Sequence, residues 1–146
     1  LLALRGTVHL RSARARRDVP ASDFFTGLLS TARRADELIE AVSFPRPLPD
    51  QACGFAEHSR RHGDFALCAV AMVAGPGSLR VAVGGLSDRP QAIDLPALDG
   101  PALDDAINEL AWSLDVRDDP HTSASTRRHL LRHLARQAHP TTRRST

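Results

Sequence analysis

The segment Phe65 to Gly85, FALCAVAMVAGPGSLRVAVGG, decides the fold. Its two apolar arms, Phe65 to Ala74 and Leu79 to Gly85, read as strands. They are joined by Gly75-Pro76-Gly77-Ser78, whose glycines allow positive φ in a tight connection, so an antiparallel hairpin is expected. A preceding strand, Phe55 to Arg61, is set off by His62-Gly63-Asp64, a three-residue turn with glycine for a left-handed position. The result is a three-stranded antiparallel meander, whose apolar face needs a cover to be stable.

Downstream sequence supplies the cover. Pro101 to Val116 places Leu103, Ile107, Leu110, Ala111 and Leu114 at helical spacing, with Asp99, Asp104 and Asp105 near the favourable end of the helix dipole. A break at Asp118-Asp119-Pro120 leads to a last helix from Ser123 to Ala138. There Leu130, Leu131, Leu134 and Ala138 share one face, and Arg128, Arg132, Arg136, His129 and His133 the other. Pro140 ends it, and Thr141 to Thr146 are expected to fray. Strands followed by helices define an α+β class, a three-stranded antiparallel sheet packed on C-terminal helices.

Upstream, Leu4 to Leu10 alternates apolar and polar residues as a half-buried strand does. Arg11 to Arg17 reads as a solvated turn. Val19 to Asp23 then stops the strand and offers Ser22 or Asp23 as N-cap to a short helix carrying Phe24, Phe25, Leu28 and Leu29. Glu37 to Phe44 alternates again, until Pro45, Pro47 and Pro49 form a stiff connector that no sheet ladder continues. This connector is the expected domain boundary, dividing residues 1–48 from 51–146.

The chain has 146 residues, 42% of them hydrophobic and 25% charged, which suits one compact domain or one domain with a tail. No apolar run approaches the roughly 18–20 residues of a membrane span, and no signal peptide is evident, so a cytoplasmic protein is expected. All 19 basic residues are Arg and Tyr is absent. The formal charge is only +2, so the Arg bias reads as genomic base composition rather than a field built for phosphate. Cys53 and Cys68 form no CxxC pair and read as buried or idle thiols. The chain opens Leu1-Leu2-Ala3 without Met, which reads as processing or truncation.

Several constellations have ordinary explanations. His129 and His133, at i, i+4, lack a third metal ligand, so no metal site is expected. The arginines of the last helix lack aromatic interleaving and no helix-turn-helix precedes them, so no nucleic-acid partner is expected. There is no G-x-S-x-G elbow and no sign that a Ser, a His and an Asp converge, so no catalytic residue is assigned. No GxGxxG or Walker loop is present. Two segments stand out. Ser59 to Ala66 gathers Arg60, Arg61 and Asp64 around a glycine turn. Val83 to Pro90 places Gly84 and Gly85 at a strand end, where paired glycines let a flat ligand or another backbone approach closely.

The ordered motifs Val19-Pro-Ala-Ser-Asp-Phe-Phe-Thr-Gly27, Asp36-Glu-Leu-Ile39 with Phe44-Pro45, Gly54-Phe-Ala-Glu57, Arg60-Arg-His-Gly-Asp-Phe-Ala66 and Gly84-Gly-Leu-Ser-Asp-Arg-Pro90 resemble the FAD-binding medium subunit of molybdenum hydroxylases. Carbon monoxide dehydrogenase and xanthine dehydrogenase belong to that family. Asp119 to Ala124 running into Arg127-Arg-His-Leu130 is similar to the family's closing helix. The resemblance covers the family's C-terminal part. It implies that residues 1–48 are the last strand-helix-strand elements of an FAD-binding domain, and that 51–146 are the C-terminal domain packed beside it.

The resemblance implies electron transfer. FAD would take electrons that a molybdenum-cofactor large subunit draws from substrate and an iron–sulfur small subunit relays, and pass them to an acceptor. It places Gly84, Gly85, Ser87 and Asp88 in a loop near the isoalloxazine ring, where the Asp88 charge biases its potential, and Phe55 at a position where relatives carry an aromatic near the flavin. Arg60, Arg61 and Asp64 would support the loop and the domain interface. The glycine-rich loops that grip the FAD pyrophosphate lie in the family's N-terminal domain, so this chain alone is expected to bind FAD weakly or not at all. The alternative is a truncated, stand-alone α+β interaction module.

Overall fold

The computed structural model describes residues 1–140; the tail from Thr141, expected to fray, lies outside the described residues. In chain order the elements are β1 (Thr7–Arg11), β2 (Arg16–Pro20), α1 (Ala21–Phe24), β3 (Phe25–Gly27), β4 (Ser30–Thr31), β5 (Leu38–Ser43), β6 (Ala52–Ser59), β7 (Ala66–Gly75), β8 (Ser78–Gly84), β9 (Gln91–Pro96), α2 (Gly100–Ser113) and α3 (Ala124–Ala138). The order is mixed α and β with antiparallel sheets, as the class requires.

The first sheet has the order β2-β1-β5, all antiparallel. Its core is small: Val8, Leu10, Val19 and Phe24 are buried together. The solvated turn expected over Arg11–Arg17 is shorter than that, because Arg16 to Pro20 is an edge strand in which Val8 faces Val19. Charged residues dominate this strand because only Val19 is fully buried, and Pro20 is tolerated because it closes an edge strand. The helix that follows is a single turn with no side-chain cap, so neither Ser22 nor Asp23 plays the expected part. Phe24 is buried against the edge of Phe25, while Leu28 and Leu29 sit exposed between β3 and β4.

The second sheet is a meander of four strands, β6-β7-β8-β9, rather than three. Gln91–Pro96 escapes sequence reading because Pro90, Asp94 and Pro96 weaken its strand signature; as an outer strand paired only with β8, it tolerates them. One face carries Cys68, Val70, Met72, Leu79, Val81 and Val83 into a core completed by Ile107, Leu110, Leu131 and Leu134 of the helices. Full burial of such aliphatic side chains contributes roughly 1.5–3 kcal/mol each.

Two features seat the helices. A side chain at Gly54 would put its Cβ 1.9 Å from the Ala138 carbonyl oxygen, so only glycine lets the end of α3 come this close to β6. Three arginines of α3, with Arg136 still largely exposed, tie α3 to α2. Arg128 donates to the Ala111 carbonyl and stacks over Trp112, Arg132 donates to Asn108, and Arg136 forms a bidentate pair with Asp104. His129 and His133 remain exposed.

The other face of the second sheet meets the N-terminal segment. Leu2, Ala3 and Ala21 pack on Ala82, flanked by Ala71, Val73 and Ala92. Arg80 of β8 donates to the Leu2 carbonyl and, with Arg5, grips Asp94 of β9.

Candidate flavin-facing site

Strand register builds the candidate site. Phe55, Ala71, Ala82 and Ala92 lie opposite one another across the four strands, on the face away from the helices. Glu57, Ala69 and Gly84 form the next row. Because side chains alternate along a strand, a run of Ala and Gly at every second position leaves a low, flat floor. Leu1, Leu2 and Phe25 wall one side of it and Phe55, 63% exposed, the other. The cleft between them has a volume of about 150 Å³ and an apolar lining.

The glycine pair divides its work. A Cβ on Gly84 would meet nothing within 4 Å, so Gly84 leaves the cleft open. Gly85 has φ +81°, and a Cβ there would lie 2.7 and 2.8 Å from the carbonyl oxygens of Ala66 and Leu67. Gly85 therefore meets the close backbone approach expected of the pair, while Gly84 faces open space.

The Gly85 carbonyl in turn accepts a 2.6 Å hydrogen bond from Nη1 of Arg127 on α3. The other end of that guanidinium pairs with Asp119. The Asp119 carboxylate also accepts the His121 and Thr122 N–H groups, and these bonds hold its pKa below the ordinary value. Nε of Arg127 is buried without a partner. Sequence reading missed this residue, and nothing local marks it, since it acts 42 positions away along the chain. Phe25, expected in the short helix, instead begins β3 and lines the cleft.

The remaining expected site residues are dispersed. Ser87 donates to the Arg89 carbonyl and accepts from Gln91, which shapes the turn after β8. Ser87 and Asp88 line a separate polar cleft of about 240 Å³ with Thr26, Gly27 and Asp115. Arg60 and Asp64 pair at 3.5 Å in the turn between β6 and β7, where Arg60 also meets His121 and Asp64 accepts the Phe65 N–H. Arg61 is exposed in the same turn. None of these three lines the apolar cleft. The structure thus brings Phe55 and Gly84 together, places Gly85 directly behind them, and sets the other five around the rim or beyond it.

A Ser, a His and an Asp do converge, where sequence reading found no sign of it. His9 on β1 bridges Asp18 on β2 at 2.7 Å and Ser43 on β5 at 2.8 Å. This chain runs across the first sheet and lines neither cleft, so it reads as a cross-strand polar ladder. Among the described residues no group of three or more His, Cys, Asp and Glu side chains gathers as a metal would require, and no helix is long and apolar enough to cross a membrane.

The residues present fit one edge of a flat apolar ring. Two aromatic walls, an alanine floor and an absent side chain at Gly84 suit such a group, and the apolar lining offers nothing to a pyrophosphate. What the fold and site define is therefore an α+β scaffold with a small, open apolar cleft on one sheet face.

Comparison with known proteins identifies the scaffold. Residues 1–47 match the family model for the FAD binding domain in molybdopterin dehydrogenase. The chain is 38% identical to the nicotine 6-hydroxylase medium subunit of Paenarthrobacter nicotinovorans, over 94% of this chain and 52% of that protein. It is 29% identical to the glyceraldehyde dehydrogenase medium chain of Sulfolobus acidocaldarius, over 82% of this chain and 45% of that protein. Its fold superimposes on quinoline 2-oxidoreductase from Pseudomonas putida 86 with a TM-score of 0.79 at 26% identity, covering 94% of this chain and 52% of that one. Reconstituted CO dehydrogenase from Oligotropha carboxidovorans gives a TM-score of 0.82 at 25% identity, covering 94% and 52%. The chain is a relative of the medium, FAD-binding subunits of the molybdenum hydroxylase family. It spans about half the length of the curated relatives it matches.

Proposed function

We propose that the chain supplies the C-terminal part of an FAD-binding medium subunit in a molybdenum hydroxylase, acting beside a molybdenum-cofactor large subunit and an iron–sulfur small subunit. The observation that carries this reading is the apolar cleft in which Phe55 and Gly84 meet, in a chain related to such subunits. When bound, FAD supplies the redox chemistry, accepting electrons and passing them to an acceptor.

The chain's own residues position and shield. The Phe55 ring would cover one side of a flavin ring in the cleft, Gly84 would keep room for it, and Gly85 with Arg127 fixes the turn that carries both glycines. Asp88 contributes a negative charge beyond the rim, which disfavours added electron density on the ring. Arg60 and Asp64 brace the neighbouring turn. The edge strand β5 exposes Leu38, Ile39 and Val42, and Phe44 just after it is exposed as well; an open apolar strand of this kind suits coverage by further subunit structure. Residues 1–48 and 51–146 act in this reading as parts of two domains that meet at the cleft.

The test is a flavin titration followed by amide chemical shifts. FMN and FAD should bind weakly and with similar affinity, because the pyrophosphate loops are not in this chain. Shifts should concentrate at Phe55, Ala69, Ala71 and Gly84. Absence of shifts at these four residues, or tight stoichiometric binding that distinguishes FAD from FMN, would sink the proposal.

A further inference from the structure

A second cavity, separate from the candidate flavin-facing cleft, is formed among the described residues. It lies on the same face of the second sheet, beyond Ala3, between the N-terminal segment, the proline connector and β8, with a volume of about 400 Å³. That volume falls within the range of small-molecule sites.

Its walls carry three guanidinium groups, from Arg5, Arg46 and Arg80, against the single carboxylate of Asp94. Arg80 is held firmly, 15% exposed, donating to Asp94 at 2.7 Å and to the Leu2 carbonyl at 3.1 Å. Arg5 reaches both Asp94 oxygens through Nη2 alone, at 2.9 and 2.8 Å, which leaves its Nε and Nη1 donors available. Arg46 makes no hydrogen bond or ion pair among the described residues. One carboxylate cannot balance three guanidinium groups, so the cavity holds uncompensated positive charge next to a preformed array of N–H donors.

Two further features fit a ligand. Arg5 has φ +52°, a left-handed backbone that is unusual for a side chain of its size and that helps set its reach toward Asp94. Pro45, Pro47 and Val73 add apolar surface to the same lining, the prolines flanking Arg46 and Val73 lying beside Arg80 in the sheet. Just beyond Arg46, paired Leu48–Gln51 hydrogen bonds close the end of the connector.

We propose that this cavity binds a small molecule that combines an oxyanion, phosphate or carboxylate, with a flat apolar body. Arg46 and the free donors of Arg5 hold the oxyanion, Asp94 and Arg80 hold Arg5 in place, and the prolines and Val73 receive the apolar body. This site is independent of the flavin reading, since none of its charged residues lines the flavin-facing cleft.

The test uses the chain with three probes, AMP, benzoate and inorganic phosphate, measured by calorimetry and amide shifts. AMP or benzoate should bind saturably, with shifts at residues 3–5, 46–51 and 78–80, and the stronger of the two shows which oxyanion is preferred. Added salt should weaken binding. Arg46→Ala should lower affinity at least about tenfold, while Arg46→Lys restores part of it, as expected for a charge-assisted contact. Phe55→Ala should leave anion binding unchanged. The proposal fails if no probe saturates in the millimolar range, if only inorganic phosphate binds, or if Arg46→Ala, shown by circular dichroism to fold, binds like the parent. Should Arg46→Ala not fold, Arg46→Gln serves the same comparison.

Discussion

Arg127 and Gly85 meet through a 2.6 Å hydrogen bond from the guanidinium to the glycine carbonyl, joining α3 to the turn that ends β8. The same guanidinium engages Asp119, so three chain segments share one side chain. Arg127→Met should cost about 1–3 kcal/mol, because two acceptors lose their donor at a site only 14% exposed on the arginine side. Urea denaturation reads the loss. Amide exchange at Gly85 and Leu86 should also quicken more than exchange at Val70, which would separate a loosened turn from general weakening.

The two adjacent glycines should respond in opposite ways. Gly85→Ala meets both a positive φ and two carbonyl oxygens under 3 Å away, so a loss of about 2–4 kcal/mol is expected. Gly84→Ala enters open space and should change stability by no more than about 0.5 kcal/mol. Gly84→Val should fill the cleft and weaken flavin-dependent shifts while the melting temperature stays near that of the parent. Equal melting temperatures for the two alanine variants would contradict this division.

Glu37 is nearly buried and held from several sides: Arg17 forms a bidentate pair with it, the Arg34 N–H donates to it, and Arg17 also donates to the Ala32 carbonyl. The Arg17 hydrogen bonds, followed by the one from the Arg34 backbone, lower its pKa from 4.5 to about 2. A lowered carboxylate pKa gives stability that is present above the unfolded value and lost as pH falls through the folded one. Stability of the first sheet should therefore decline between about pH 4.5 and 2. Glu37→Gln should be less stable at neutral pH and flatter across that window. A parent and variant with the same pH slope would show that Glu37 does not carry it.

The two thiols should react differently. Cys68 is fully buried, and burial pushes its pKa up to about 12, so it has almost no thiolate near pH 8. Cys53 is exposed on β6. Iodoacetamide should modify one thiol in the native protein and two after denaturation, with mass spectrometry assigning the native site to Cys53. Native labelling at Cys68 would mean that the core opens.

Local pattern was enough for the long elements. The β7–β8 hairpin, the α2 and α3 helices, β1 and β5 all carry a periodicity or turn chemistry written over adjacent residues. Elements whose stability comes from neighbours were harder to read. Arg16–Pro20 looks like a turn because an edge strand needs to bury only Val19, and Gln91–Pro96 is masked by its prolines. Of the expected site residues, Phe55 and Gly84 converge because strand register sets them one row apart on one face. Asp88 and the Arg60–Asp64 turn sit elsewhere, since closeness in sequence does not carry across the turn that follows Gly85.

The amino-acid sequence by itself determined the α+β class, the meander, the covering helices and the family resemblance, because hydrophobic period, glycine and proline placement and ordered motifs are local properties of the chain. Only the tertiary structure decided that Gly85 is a packing glycine and Gly84 an open one, that Arg127 secures their turn, that Arg128, Arg132 and Arg136 bind α2, and that Arg5, Arg46 and Arg80 share a cavity. Those facts depend on distances between residues tens of positions apart, which are fixed when the sheet faces and helices pack against one another.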